Sequence, residues 1–184
     1  MTVTTGLVLA AGAGTRYGRP KILVDGWLGG AVAALRPWCT DVRVVTGAAR
    51  RALPDGASEV HCPRWANGIA ASLRAGLESL ADRPDRVIVH LVDCPDVDAS
   101  VAGRVLDAAG DRPTRATYEG RPGHPVVLPG SSIQALLQEL RDAQGTGPFL
   151  ARQPEVIEVE CADLASGRDH DHPTPRAAIR TGER

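Results

Sequence analysis

The amino-acid sequence predicts an α/β protein, a three-layer α/β/α sandwich on a mainly parallel sheet. Two observations carry this: short apolar runs that stop at glycine or aspartate, and segments of helical period set between them. "GLVLA" (Gly6–Ala10) is a short apolar run followed at once by glycine, as a buried parallel strand should be. "DVRVVTG" (Asp41–Gly47) is a second strand and "RVIVHLVD" (Arg86–Asp93) a third. Between them "GIAASLRAGLESLA" (Gly68–Ala81) carries Ile69, Leu73, Leu77 and Leu80 at helical spacing, the pattern of an amphipathic crossover helix. "VAGRVLDAAG" (Val101–Gly110) follows the third strand in the same way, with Gly110 suited to a helix C-cap. In the second half, "TRATYEG" (Thr114–Gly120) and "HPVVLPG" (His124–Gly130) read as strands with a turn at Gly120–Gly123. "SSIQALLQELRDA" (Ser131–Ala143) reads as a helix, with Ser131 and Gln134 spaced as a capping box. "EVIEVE" (Glu155–Glu160) alternates like a strand with one wet face. Residues 1–184 are expected to form one domain, with 166–184 a polar tail too poor in apolar side chains for a core of its own.

Size and charge bound the function. A chain of 184 residues can bury a substantial core. Its formal net charge of −1 gives no hint of a nucleic-acid or membrane partner, since both usually ask for a basic face. No apolar stretch approaches the ~20 residues that span a bilayer. The apolar start lacks the basic leader of a signal peptide, so a cytoplasmic protein is expected. Cys39, Cys62, Cys94 and Cys161 are scattered without a C-x-x-C pair and read as free, mostly buried thiols.

"LAAGAGTRYGRPK" (Leu9–Lys21) follows the first strand and looks built for phosphate. Gly12, Gly14 and Gly18 miss the G-x-G-x-x-G spacing of a dinucleotide loop by one residue, and Pro20 disfavours a helix running through. Nor is there the Gly-Lys-Ser/Thr of a P-loop. An extended loop fits better. Its glycines let backbone N–H groups approach phosphate oxygens, Arg16 can fork onto two of them, and Lys21 offers a compact charge. Asp93 ends the third strand and Pro95 bends the chain away, which puts a carboxylate at the same sheet edge. A triphosphate held there arrives with Mg²⁺, which takes about six oxygens, one or two from carboxylates. Asp93 is the natural first ligand; Asp96 or Asp98 suits a helix N-cap better.

The loop resembles the L-A-[AG]-G-x-x-x-R-x-G-x-x-K signature of the MobA-like NTP transferases, which include the molybdenum cofactor cytidylyl- and guanylyltransferases. "WANGIAASLRAGL", "LVDCPDV", "GHPVVL" and "GRDHDHPTP" are similar to the remaining family segments, so the resemblance runs along nearly the whole chain. It implies a Rossmann-like sheet of the nucleotide-diphospho-sugar transferase (GT-A-like) type. It further implies nucleotide binding by Leu9, Ala10, Ala11, Gly12, Gly14, Arg16 and Lys21, with Asn67, Gly68 and Ser72 lining the base pocket. The last three also read as an N-capped helix start with a small packing face. Residue 11 helps to choose the base: cytidylyltransferases read "LAAG", as here, and guanylyltransferases "LAGG", so CTP is expected rather than GTP. The resemblance aligns Asp171 with the terminal metal ligand, beside Asp93. His170 and His172 fit a solvated turn better than a transition-metal site, since hard oxygens suit Mg²⁺. His124 and Pro125 are implied at the acceptor, although a satisfied core histidine reads equally well. One departure stands out: the family's G-D-x-G-A-R is replaced by "QGTGPFL" (Gln144–Leu150).

The expected reaction is nucleotidyl transfer. Phosphate of an acceptor attacks the α-phosphorus of CTP and expels pyrophosphate, with Arg16, Lys21 and Asp93 as the catalytic set and Mg²⁺ as cofactor. The resemblance implies molybdopterin as acceptor, its product serving a molybdenum hydroxylase apoenzyme. The alternatives are transfer to a sugar or polyol phosphate, and a catalytically inactive nucleotide-binding module, which the altered "QGTGPFL" keeps open.

Overall fold

The computed structural model describes residues 2–80, 84–140 and 145–172. They form one sheet from β1 (Thr4–Leu9), β2 (Asp41–Thr46), β3 (Ala57–His61), β4 (Arg86–Leu91), β5 (Thr114–Tyr118), β6 (Arg121–Pro129) and β7 (Ile157–Glu160). Their spatial order is β3-β2-β1-β4-β6-β5-β7. β1 pairs in parallel with β2 and β4, as β2 does with β3 and β5 with β7; β6 alone runs against its neighbours β4 and β5. The expected mainly parallel α/β/α architecture is present.

Strand alternation sorts the core into two layers. Val8, Val44, Ile88 and Val127 face α1 (Trp27–Leu35) and α3 (Ala99–Ala109). Leu7, Val45, Val87 and Val89 face the other side, under α2 (Ile69–Glu78), α4 (Ile133–Glu139) and α5 (Gly147–Arg152). Every residue of the interior strand β1 is buried, because helices cover both of its faces.

Several boundaries differ from the sequence expectation, each for a local reason. α3 starts two residues early because Asp98 caps it, accepting from Ser100 N at 2.8 Å and Val101 N at 3.4 Å. The helix expected to be capped at Ser131 begins instead at Ile133. A 3₁₀ turn, Gly130–Ser132, precedes α4, and its N-cap, Ser132, makes no side-chain cap bond. The ends of two predicted helices, at 81 and 141–143, lie outside the described residues. The β5–β6 turn is tighter than expected: Glu119 and Gly120 both have left-handed backbone, and Tyr118 pairs with Arg121. Three elements gave no sequence signal. α5 has only six residues, too few to show a helical period. α1 contains Gly29 and Gly30 and is small-residue-rich. β3 is an edge strand with no apolar alternation.

His90 is an anomaly in this core. It lies on β4 two residues beyond Ile88, is fully buried, and neither ring nitrogen has a hydrogen-bond partner among the described residues. Burial pushes its pKa from 6.5 down to about 3, with the neighbouring His124 acting in the same direction. The native ring is therefore neutral, whereas an unfolded histidine takes up a proton near its ordinary value. Where the unfolded state binds more protons, stability falls as pH is lowered. Tm is expected to drop by several degrees as pH goes from 6.5 towards 4, and thermal scans of His90→Leu should show a shallower drop.

Candidate active site

The parallel strands β2, β1 and β4 end side by side, the edge at which open α/β sheets place ligands. A cleft of about 380 Å³ opens there, walled by the loop after β1, the start of α2, the end of β4 and one residue of the tail. The loop stays non-helical through Gly14 and turns over Thr15–Gly18. Gly14 is required by this path: its φ is +61°, and a Cβ would lie 1.9 Å from the carbonyl oxygen of Arg19. Gly18 N donates to Gly14 O at 2.8 Å and closes the turn. Pro20 then opens a 3₁₀ turn, Lys21–Leu23, whose Ile22 is fully buried. That anchor holds Lys21 at the cleft.

The Lys21 ammonium bridges two carboxylates. Nζ donates to Asp93 Oδ2 at 2.6 Å and to Asp171 Oδ1 at 2.9 Å. Arg16 Nη1 lies 2.6 Å from the other oxygen of Asp171. Asp93 reaches this point because Val92 N still pairs with Leu9 O beyond the formal end of β4. Asp171 reaches it because the tail crosses the sheet edge as a strap. Arg104 forks onto Asp163, Asp96 accepts from Ser166 N and Oγ, and His170 N donates to Asp93 O at 3.0 Å. The His170 ring packs on Trp27, which packs on Tyr17, with centroids 5.5 and 5.2 Å apart.

Burial works against the charge on Lys21, but its bonds to Asp93 and Asp171 outweigh that and raise its pKa above the usual lysine value. Asp171 moves down, chiefly through the Lys21 hydrogen bond and also through the charges of Lys21 and Arg16. The site is thus a cationic pair and a carboxylate pair in mutual contact. Two hard carboxylates fit Mg²⁺, which leaves most of its coordination to phosphate and water. No group of three or more His, Cys, Asp or Glu side chains among the described residues could hold a metal by protein ligands alone.

Leu9, Ala10, Ala11, Gly12, Gly14, Arg16, Lys21, Gly68, Ser72, Asp93 and Asp171 all line this one cleft. Asn67 does not; it lines an adjoining hollow with Arg64 and Arg74. His124 and Pro125 also stand apart from the cleft wall, on β6. The His124 ring Nδ1 lies 3.4 Å from Val89 O. Burial lowers the His124 pKa, opposed by that contact and by the charges of Asp93 and Asp169. His124 therefore flanks Asp93 on the side away from the glycine loop. The sequence reading passed over Thr15, Tyr17, Trp65 and Ile69, which also line the cleft. A signal was available: the chain has only three tryptophans and two tyrosines, and Tyr17 and Trp65 fall inside or beside the motifs.

Residues 6–156 match the family model of the MobA-like NTP transferase domain. Nicotine blue oxidoreductase of Paenarthrobacter nicotinovorans is 31% identical over 190 residues, covering 91% of each chain. Among solved structures, Rv0371c from Mycobacterium tuberculosis H37Rv superposes with a TM-score of 0.75 at 27% identity, over 87% of this chain and 88% of that one. The same protein in complex with manganese gives a TM-score of 0.69 at 24% identity, over 87% and 89%. The fold is shared with 2-C-methyl-D-erythritol 4-phosphate cytidylyltransferase from Thermus thermophilus, TM-score 0.67 at 22% identity over 92% and 94%. No helix among the described residues is long and apolar enough to cross a membrane. The glycine loop, Lys21, the start of α2 and Asp93 all fall within the matched span, and the chain belongs to the MobA-like NTP transferase family, a family of nucleotidyltransferases.

Proposed function

We propose that the chain transfers CMP from CTP to a phosphorylated acceptor, molybdopterin, with release of pyrophosphate. The observation that carries this reading is the unbroken run of ion pairs Arg16–Asp171–Lys21–Asp93 across the mouth of the glycine-lined cleft. Cations with this spacing suit a triphosphate, and the paired carboxylates suit the divalent cation that travels with it. The choice of CTP rests on Ala11 in "LAAG", and that of molybdopterin on the family resemblance. A manganese complex of the mycobacterial relative is in keeping with a divalent cation at such a site.

In this mechanism an acceptor phosphate oxygen forms a bond to the α-phosphorus. The bond from that phosphorus to the α–β bridging oxygen breaks, and the electron pair leaves on pyrophosphate. Phosphate is already nucleophilic, so no general base is needed. Catalysis comes from alignment and from charge placed in advance. Arg16 exchanges Asp171 for the β- and γ-phosphate oxygens, and Lys21 turns to the α-phosphate, where charge redistributes. Asp93 and Asp171 would hold Mg²⁺, which when bound neutralises phosphate charge. In this reading His124, beside Asp93, serves the acceptor.

The name of the 31% identical relative favours a second reading, in which the same grip holds a redox dinucleotide. Against it, β2 ends in Thr46 and Gly47, without the acidic residue that would hold a ribose. A pyrophosphate-release assay with CTP, GTP, ATP and UTP against molybdopterin, sugar phosphates and polyol phosphates separates these possibilities. Release with CTP and molybdopterin supports the proposal. Release only with a sugar or polyol phosphate moves the acceptor, and none with any pair leaves a binding module or a hydride-transfer enzyme, which oxidation of reduced nicotinamide would reveal.

Lys21→Ala and Asp93→Ala should each lower turnover by about 10²–10³. Either variant keeping more than about a tenth of wild-type turnover contradicts the assigned role. The lowered pKa of Asp171 means that strap docking is fully present above the ordinary carboxylate value of 3.8 and is lost as pH falls through the depressed one. Lys21→Met removes the main cause of that depression. Carboxyl carbon NMR should show Asp171 titrating at higher pH in this variant than in the wild type.

A further inference from the structure

The cleft has two flanks, and only one of them carries the charged groups. β1 lies between β2 and β4 in the sheet, so the ends of those strands stand on opposite sides of the glycine loop, about 10 Å apart at two strand spacings. Asp93 follows β4, and Lys21 and Asp171 gather there. Gly47 follows β2, and on it sits the half-buried indole of Trp65. A Cβ on Gly47 would lie 2.5 Å from Trp65 Cβ, 2.8 Å from its Cγ and 2.7 Å from Ala11 O. Glycine is thus needed at 47 for Trp65 to pack on the chain where the end of β2 meets the Ala11 carbonyl. The position is further fixed. Trp65 N donates to Cys62 O at 3.3 Å, Gly68 N donates to Trp65 O at 3.1 Å, and Ala48 N ties the end of β2 to Ala11 O at 2.9 Å. Ile69 and Ser72 continue the same wall. Tyr17, the other aromatic side chain of the cleft, is committed to Trp27.

We propose that Trp65 is the platform on which the nucleobase stacks, held in place by Gly47. The proposal rests on the NTP-binding reading above and deepens it, by assigning the base to the β2 flank and the phosphates to the β4 flank. A base that stacks on an indole is held by its π-face, whatever its hydrogen-bonding edge. Trp65 therefore contributes affinity for any nucleobase, and choice among bases is left to the loop backbone at Ala11.

The test compares binding of Mg²⁺–CTP and of Mg²⁺–tripolyphosphate, which carries phosphates without a base, to the full chain. Trp65→Leu should weaken CTP by about 5- to 150-fold, the range of a lost base–aromatic stack, and leave tripolyphosphate within about twofold. Trp65→Phe, which keeps a ring and a similar fold, should fall between Leu and wild type for CTP. In a Trp27→Phe/Trp38→Phe background, CTP should quench the remaining Trp65 fluorescence and tripolyphosphate should not. Unchanged CTP affinity in Trp65→Leu, or equal losses for CTP and tripolyphosphate, overturns the platform role. Should Trp65→Leu fail to fold, the quenching experiment decides alone, and absence of quenching by bound CTP overturns it. Wild-type protein that binds no NTP removes both proposals; wild-type transfer activity with no Trp65 effect removes only this one.

Discussion

A single ammonium group joins three parts of the chain that lie far apart in sequence. Lys21 is placed by a proline-started turn after β1, Asp93 by the end of β4, and Asp171 by a strap that follows β7. Two carboxylates this close repel each other, and the lysine between them offsets that repulsion. The partly buried surroundings keep the charges from being fully screened, so the contact is stronger than an exposed pair. Loop, strand end and tail are therefore held in register by the same charges that the proposed chemistry uses.

The sheet explains why those charges meet where they do. Parallel strands β1, β2 and β4 deliver their C-terminal ends to one edge, and the helices that cover both faces leave that edge open. β6 runs the other way, so its N-terminal half, with His124, comes up beside Asp93 on the far side of β4. The glycine loop reaches this edge without a helix running through it. Its backbone is already folded back on itself at Gly14.

The core strands were legible in the sequence because burial on both faces leaves continuous apolar runs such as "GLVL" and "RVIV". α2 was legible through its spaced leucines. α1 and β3 were not. One carries two adjacent glycines, and the other has polar residues on both faces, so neither shows a period. Within the site, residues tied to a strand end or a glycine turn, such as Asp93 and Lys21, could be placed by counting. The placement of Asp171 came only through family likeness, because a polar tail has no period from which to read a position. Asn67 and His124 show the limit of motif reading. Neighbours in sequence can face different hollows, and Asn67 is separated from the cleft by the same 3₁₀ turn that puts Trp65 into it.

The strap has a consequence for how firmly the tail is held. Its outer fastenings are an Arg104–Asp163 fork and an Asp96–Ser166 clasp, both exposed. Exposed ion pairs weaken with ionic strength, while the apolar layers beneath the sheet do not. Added salt should thus loosen the strap along the sheet edge while leaving the barrier to global unfolding nearly intact. The grip of the tail on the sheet edge is set in part by the surrounding electrolyte.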